Sequence, residues 1–396
     1  MSALAAADGA CRGAPMSAAA PLPRVGDPVE SIDTPALVVD LDAMERNLAT
    51  MAAFARSHGV RLRPHAKMHK SATIARMQRE AGAVGVCVQK TSEAEALAAA
   101  GVDDIYLSNE VIDDAKLARV AALAKRIRLA IAVDSVEGIE RLARAVAAAG
   151  STIDVFVEVD VGQGRCGAPA AAAGQLAQHV VSHAPPEGGL RFAGVHAYHG
   201  SAQHLRGDAE RAAASQHAAS LARAAQASIG AAGVACPLVT GAGTGTFAFD
   251  VASGVWGELQ AGSYLFMDRD YADNVAAPNA PRFEHALFVK SRVMSRGAAH
   301  AVIDAGHKSH AIDSGLPRVW QRELAYANGG DEHGILRPHA DASRASLPVL
   351  GETVWLVPGH CDPTVNLHDR YVVVRGGLAG GVVEAVWPIE ARGCVS

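Results

Sequence analysis

Two lysines and two histidines stand within one nine-residue stretch, Arg63-Pro64-His65-Ala66-Lys67-Met68-His69-Lys70-Ser71, directly after the short run Val60-Arg61-Leu62. At the mouth of a barrel, Lys67 would be partly buried among cationic neighbours, and both effects lower an amine's pKa until it attacks a carbonyl. On that reading Lys67 forms a Schiff base. A solvated basic loop at a helix start uses the same residues, so both readings stand at this point.

Four more clusters carry chemistry. Gly241-Ala-Gly-Thr-Gly-Thr246 follows a β-type run, so its amides can converge on an anion, with the Thr244 and Thr246 hydroxyls as further donors; a flexible turn is the alternative. Gly262-Ser263-Tyr264 would lie beside it at the end of a last barrel strand, where phosphate sites recur. In Glu158-Val-Asp-Val-Gly-Gln-Gly-Arg165 a guanidinium at a strand end can donate to a phenolate or carboxylate, or tie back to Asp160 as a loop brace. In Gly359-His360-Cys361-Asp362-Pro363, an extended backbone would turn His360 and Asp362 the same way, able to grip one divalent ion while Cys361 points elsewhere. A turn histidine followed by an aspartate before proline is the plain alternative. Finally, His196, Tyr198, His199 and His204 surround another strand end, where one imidazole can act as a general base while the others are structural.

The elements that must position these groups follow from the alternation of short β-type runs with Ala-rich helical stretches. A strand at 35–40 leads into a helix at 41–58, with Leu48, Met51 and Phe54 at helical spacing. Strands follow at 60–63, 85–89, 105–108, 128–134, 154–160, 192–198, 237–240 and 258–266. Counted from Val60 these make eight, which predicts a (β/α)8 TIM-type barrel within residues 29–278. The chemistry of such a barrel sits at the C-terminal strand ends. There the sequence places Lys67, Gln89, Asn109, Asp134, Asp160 with Arg165, and His196 with His199. Beyond Pro278, β-type segments without long helices predict a mostly antiparallel β domain over 279–396, with 270–282 as linker.

At 396 residues, 49% of them apolar, the chain can bury a large core; a net charge of −5 with no basic run argues against nucleic acid and anionic lipid as partners. Small molecules are the expected partners. Six scattered cysteines without a Cys-x-x-Cys pair fit a reducing cytoplasm. Residues 1–28, rich in Ala, Pro and Gly, read as a disordered tail, and nothing approaches the roughly 20 apolar residues of a membrane span.

Together these residues, over nearly the whole chain from Thr34 to about Pro388, resemble the fold-type III pyridoxal-phosphate enzymes, alanine-racemase-like in fold, and within them the D-threonine aldolase and D-serine dehydratase family. Arg-Pro-His-x-Lys-x-His-Lys is a specific signature of that resemblance. It implies that Lys67, not Lys70, carries pyridoxal 5'-phosphate, that Arg165 contacts the cofactor's phenolic oxygen, and that Gly243, Thr244, Gly262, Ser263 and Tyr264 bind its phosphate. Gln89, Tyr198, Thr240 and Gln260 complete the expected cofactor contacts. Gln260 resembles the position where alanine racemases carry an arginine facing the pyridine nitrogen and related decarboxylases a glutamate, a departure that argues against both activities. The dehydratases are similar to one another in a His-x-Cys metal motif, whereas His360-Cys361-Asp362 resembles the His-x-Asp of the aldolases.

The resemblance implies retro-aldol cleavage of D-threonine and other D-β-hydroxy-α-amino acids to glycine and an aldehyde, by a homodimer in which each second domain closes the other chain's barrel mouth. Lys67 would exchange with the substrate amine, the cofactor serving as electron sink. A divalent metal on His360 and Asp362, Mn²⁺ foremost among Mn²⁺, Mg²⁺, Co²⁺ and Zn²⁺, would acidify the β-hydroxyl, and His199 or a water it orients would take the proton. A D-serine or D-threo-3-hydroxyaspartate dehydratase using the same site is the alternative. A cofactor carrier without turnover leaves the second domain unexplained, and a metal-dependent barrel hydrolase leaves Lys67 and the glycine loop without a role.

Overall fold

The computed structural model describes residues 22–184, 188–278, 280–339 and 346–396. After β1 (Ala36–Asp40), the helix Leu41–Ser57 begins where the Asp40 carboxylate accepts the Ala43 N–H. Eight strands then alternate with helices: β2 (Arg61–Leu62), β3 (Val86–Val88), β4 (Asp104–Leu107), β5 (Arg128–Val133), β6 (Thr152–Glu158), β7 (Gly189–Ala197), β8 (Val239–Gly241) and β9 (Glu258–Leu259). They form one parallel sheet in the order β2-β9-β8-β7-β6-β5-β4-β3. Backbone bonds from Val84 to Leu62, Ala66 to Cys87 and Cys87 to Pro64 join the two ends, so the barrel closes as expected.

The middle of these strands is mostly apolar because both faces are covered there, with charged residues such as Asp104, Arg128, Asp154 and Arg191 toward their N-terminal ends. Val86, Ile105, Ile131 and Val155 point out against the helices. Cys87, Tyr106, Ala130, Ala132 and Phe156 fill the interior, the two alanines making room for Tyr106 and Phe156, whose ring centres lie 4.9 Å apart. With the interior packed, the C-terminal mouth, where the candidate residues gather, opens as a separate cavity.

The second sheet comprises β10 (Leu287–Arg296), β11 (Ala301–Ile303), β12 (Arg318–Val319), β13 (Leu324–Asn328), β14 (Gly334–Pro338), β15 (Thr353–Val357), β16 (Arg370–Arg375) and β17 (Val382–Pro388), together with β1. β1 pairs antiparallel with β10 and parallel with β16. The first strand, which the sequence places before the barrel within 29–278, therefore belongs to the second sheet. A closed barrel has no free edge to receive it, whereas β10 and β16 satisfy both of its edges.

The N-terminal expectation also needs correction. Residues 1–21 lie outside the described residues, but 22–28 lie against the second sheet. Gly26 donates to Val383 at 2.8 Å, and Val383 donates back to Asp27 at 2.9 Å. The described chain begins against the second sheet, makes the barrel and returns, and the loop after β15 reaches the barrel mouth. There Arg269 donates to the Pro358 carbonyl at 3.0 Å and Asp270 to that of Gly359 at 3.2 Å.

Candidate active site

The loop after β2 is pinned on one side so that the other can face the mouth. Lys70 adopts a positive φ of 52° and sends its ammonium inward, 2.7 Å from Glu93 Oε1 and 3.3 Å from the Ala391 and Cys394 carbonyls. The Tyr371 hydroxyl donates to the His69 carbonyl at 2.7 Å, and Glu390 accepts the Ala72 N–H at 2.9 Å. Lys70 is thus consumed by the fold, while Lys67 opens onto a cavity of about 360 Å³ at the barrel mouth.

Gln89, Arg165, Tyr198, Gly243, Thr244, Gln260, Gly262, Ser263, His360 and Asp362 line the same cavity. Three expected residues do not. His199 turns away and packs over Gly162, where a Cβ would come 3.1 Å from its ring, and its Nδ1 is buried without a partner. Tyr264 is fully buried with its ring centre 5.5 Å from that of Phe283, and only its backbone N–H turns to the loop, donating to Thr244 Oγ1 at 3.0 Å. Thr240 is fully buried behind Gln260. In each case the direction of the side chain is set by packing that the local sequence does not display.

The two glycine-bearing turns meet as bare backbone. A Cβ on Gly262 would lie 2.8 Å from the His65 carbonyl, and one on Gly243 would lie 2.5 Å from Gln203 Oε1. Gln203 braces the loop, accepting from Gly245 N–H at 2.9 Å and donating to the Thr246 hydroxyl at 2.8 Å, which donates to Asp250 at 2.6 Å. A rigid cradle of amides and hydroxyls fits a phosphate. Arg165 does not brace its loop: Asp160 instead accepts the N–H groups of Gly162 and Gly164 at 2.9 and 3.1 Å. Among the described residues Arg165 has no ion pair, and its guanidinium lies over the Tyr198 ring, 5.9 Å from its centre. It is available to an anionic oxygen.

His360 and Asp362 meet, though not through an extended backbone. His360 caps the short helix Cys361–Val365, which turns Cys361 into the core and brings Asp362 Oδ1 to 3.6 Å from His360 Nε2. That oxygen is buried without a hydrogen bond, as a vacant ligand would be, and His360 Nδ1 is held 2.8 Å from Asp313. Imidazole, carboxylate and an outer carboxylate fit a divalent ion completed by water; among the described residues no third His, Cys, Asp or Glu joins them.

Asp362 Oδ2 lies 3.2 Å from Lys67 Nζ. This contact reverses one expectation: the Asp362 carboxylate raises the Lys67 pKa, against the effect of burial, because the amine touches an opposite charge and not a cationic neighbour. Burial pushes Asp362 up, but Lys67 and His360 together hold it below the usual range.

His204, on the cavity wall, places Nδ1 2.5 Å from the buried Asp270, which also pairs with Arg206. Neither Asp270 nor Asp313 carries any local sign of its role, since each finds its histidine only through the fold. Two further histidines on the cavity wall are mostly buried: burial drives His65 well down and takes His196 to about 3, so both are neutral.

Glu158 ends β6 with Oε2 buried, unbonded and 3.9 Å from His196 Nε2. Burial and the neighbouring Glu110 carboxyl push its pKa above the ordinary 4.5. A carboxyl with a higher pKa folded than unfolded holds more protons when folded, so its stabilisation is lost as pH rises above the unfolded value. Glu158→Gln should therefore gain on wild type by on the order of 1 kcal/mol per pH unit between about pH 5 and 8 in unfolding experiments; a pH-independent difference contradicts this.

Residues 39–270 match the family model described as alanine racemase, N-terminal domain, and residues 286–374 the putative serine dehydratase domain. Over 371 residues the chain is 47% identical to a D-threonine aldolase of an Arthrobacter species, which covers 93% of this chain and 95% of the relative. It is 42% identical over 373 residues to a 3-hydroxy-D-aspartate aldolase of Paracoccus denitrificans, with 91% and 92% covered. The crystal structure of D-threonine aldolase from Filomicrobium marinum is similar with a TM-score of 0.89 at 49% identity, covering 95% of this chain and 99% of that one.

Proposed function

The chain belongs to the D-threonine aldolase and D-serine dehydratase family of fold-type III pyridoxal-phosphate enzymes, and on that premise we propose that it cleaves D-threonine and other D-β-hydroxy-α-amino acids to glycine and an aldehyde. The observation that carries this reading is the 3.2 Å approach of Lys67 to Asp362, which brings the Schiff-base amine and the metal pair to one point of one cavity. Pyridoxal phosphate, held by Lys67, Arg165 and the turns at Gly243 and Gly262, would supply the electron sink for breaking the Cα–Cβ bond. A divalent ion on His360 and Asp362, Mn²⁺ foremost, would supply Lewis acidity toward the β-hydroxyl.

The chain's own residues do the rest. Lys67 presents the amine that exchanges with that of the substrate, and Asp362 keeps it pointed into the cavity. Asp313 orients His360 through Nδ1, leaving Nε2 for the ion. The proton acceptor expected at His199 is reassigned to His204, since only the latter lines the cavity, and Asp270 on Nδ1 leaves Nε2 free to take the hydroxyl proton. His204→Ala should lower kcat on D-threonine by about 10²- to 10⁴-fold, with His199→Ala much milder. The opposite ranking returns the role to His199.

The metal motif at the cavity comes from the chain's own second domain, and we infer a homodimer that adds to a mouth already closed in part from within. The described cysteines are all free, which supports the reading of a reducing, cytoplasmic setting. The match to a serine dehydratase domain keeps one second reading, elimination of water from the same substrates. Product analysis with pyridoxal phosphate, Mn²⁺ and D-threonine, with L-threonine and D-serine in parallel, separates them. Glycine and acetaldehyde from the D-isomer support the aldolase, whereas 2-oxobutanoate or pyruvate with ammonia establishes the dehydratase.

A further inference from the structure

Behind the cavity wall a line of polar groups runs from the floor of the barrel to Gln260. Glu258 Oε1 takes Arg63 Nε at 3.2 Å, and Oε2 lies 3.0 Å from Arg61 Nη2. A carboxylate gripped by two guanidinium groups has only acceptors to offer. The Thr240 hydroxyl, 2.9 Å from Glu258 Oε1, must therefore donate its single proton there. What Thr240 turns to Gln260 at 2.8 Å is then a lone pair, which only the amide nitrogen can meet. The orientation of the Gln260 amide follows from this chain of donors.

The second N–H of the same nitrogen reaches His196 Nδ1 at 3.2 Å, an imidazole that burial keeps neutral and able to accept. Both donors of Gln260 are thus used on buried partners. Its carbonyl oxygen has no hydrogen bond among the described residues, and the side chain lines the cavity. The wall at Gln260 therefore asks for a donor.

We propose that Glu258 and Thr240 are positioning residues that lock Gln260 with its carbonyl oxygen toward the cavity, where it accepts a hydrogen bond from a protonated pyridine nitrogen of the cofactor. This rests on the reading that pyridoxal phosphate occupies the cavity. The cofactor's phosphate and phenolic oxygens are acceptors that suit the glycine turns and Arg165, and its ring nitrogen is the group that becomes a donor by taking a proton from solvent. A ring held in that charged form draws electrons more strongly from the bond that breaks, and a neutral glutamine carbonyl favours that form less strongly than a carboxylate would.

The test loads the full chain with cofactor isotopically labelled at the pyridine nitrogen and reads that nitrogen by NMR, with the Schiff-base absorbance recorded on the same sample. Wild type should resonate in the pyridinium range. Thr240→Val, which frees the amide to rotate, and Gln260→Met, which removes the acceptor without touching the buried line, should both shift the resonance toward neutral pyridine while the absorbance band persists. Thr240→Ser should restore it. A neutral-pyridine resonance in wild type, or one unmoved in Gln260→Met, overturns the proposal with the cofactor visibly bound. Failure to form the band in wild type overturns instead the reading of the cavity, and the proposal with it.

Discussion

Lys67→Ala is expected to abolish the Schiff-base absorbance and to lower kcat on D-threonine by about 10⁴-fold or more, the scale on which enzymes lose activity when the covalent nucleophile is removed. The side chain is not part of a core, and among the described residues its one ion pair is with Asp362, which retains His360 at 3.6 Å, so the variant should fold. Lys70→Met makes the contrast. It strips the buried Glu93 carboxylate of its ion pair, a loss of about 3–5 kcal/mol in stability, yet at temperatures where the variant is folded the absorbance band should remain. Persistence of the band in Lys67→Ala and its loss in Lys70→Met would move the Schiff base to the other lysine.

Asp362→Ala should leave the cofactor bound and remove the response of activity to added metal, with kcat down by about 10³-fold, since Lewis acidity contributes several kcal/mol and each 1.36 kcal/mol is a factor of ten. The buried, unbonded Oδ1 of Asp362 facing His360 Nε2 at 3.6 Å is what leads to this expectation. The check is a titration of the chelator-treated enzyme with Mn²⁺, read by acetaldehyde release, beside the absorbance of the bound cofactor. Wild-type activity that survives exhaustive chelation would remove the metal from the scheme and leave Asp362 as a partner of Lys67 alone.

The legible parts of this protein were those whose physics is local. Eight β-type runs separated by helical stretches specify a closed barrel because most of them, such as 86–88, 105–107 and 129–133, are buried on both faces whatever their neighbours are. The glycines at 243 and 262 were readable because contact with an anion through bare backbone tolerates no side chain. Lys67 stood out through the density of titratable groups around it.

Directions and distant partners were not legible. β1 is a short continuous apolar run like those of a barrel strand, and only the free edges of β10 and β16 decide where it pairs. His199 and His204 follow the same strand within a few residues, yet the turn between them sends one over Gly162 and the other to Asp270 at the cavity. Thr240 and Tyr264 adjoin the cavity in sequence, but packing directs their side chains away from it.

The amino-acid sequence by itself thus determined the architecture, the cavity-facing lysine and the glycine turns, because periodicity, turn chemistry and residue type act over a few residues. Only the tertiary structure decided the charge environment of Lys67, the pairing of His360 with Asp313, and the choice of histidine at the mouth. Each of these depends on groups separated by tens to hundreds of residues, and electrostatic coupling is set by distance through space, which a linear pattern does not contain.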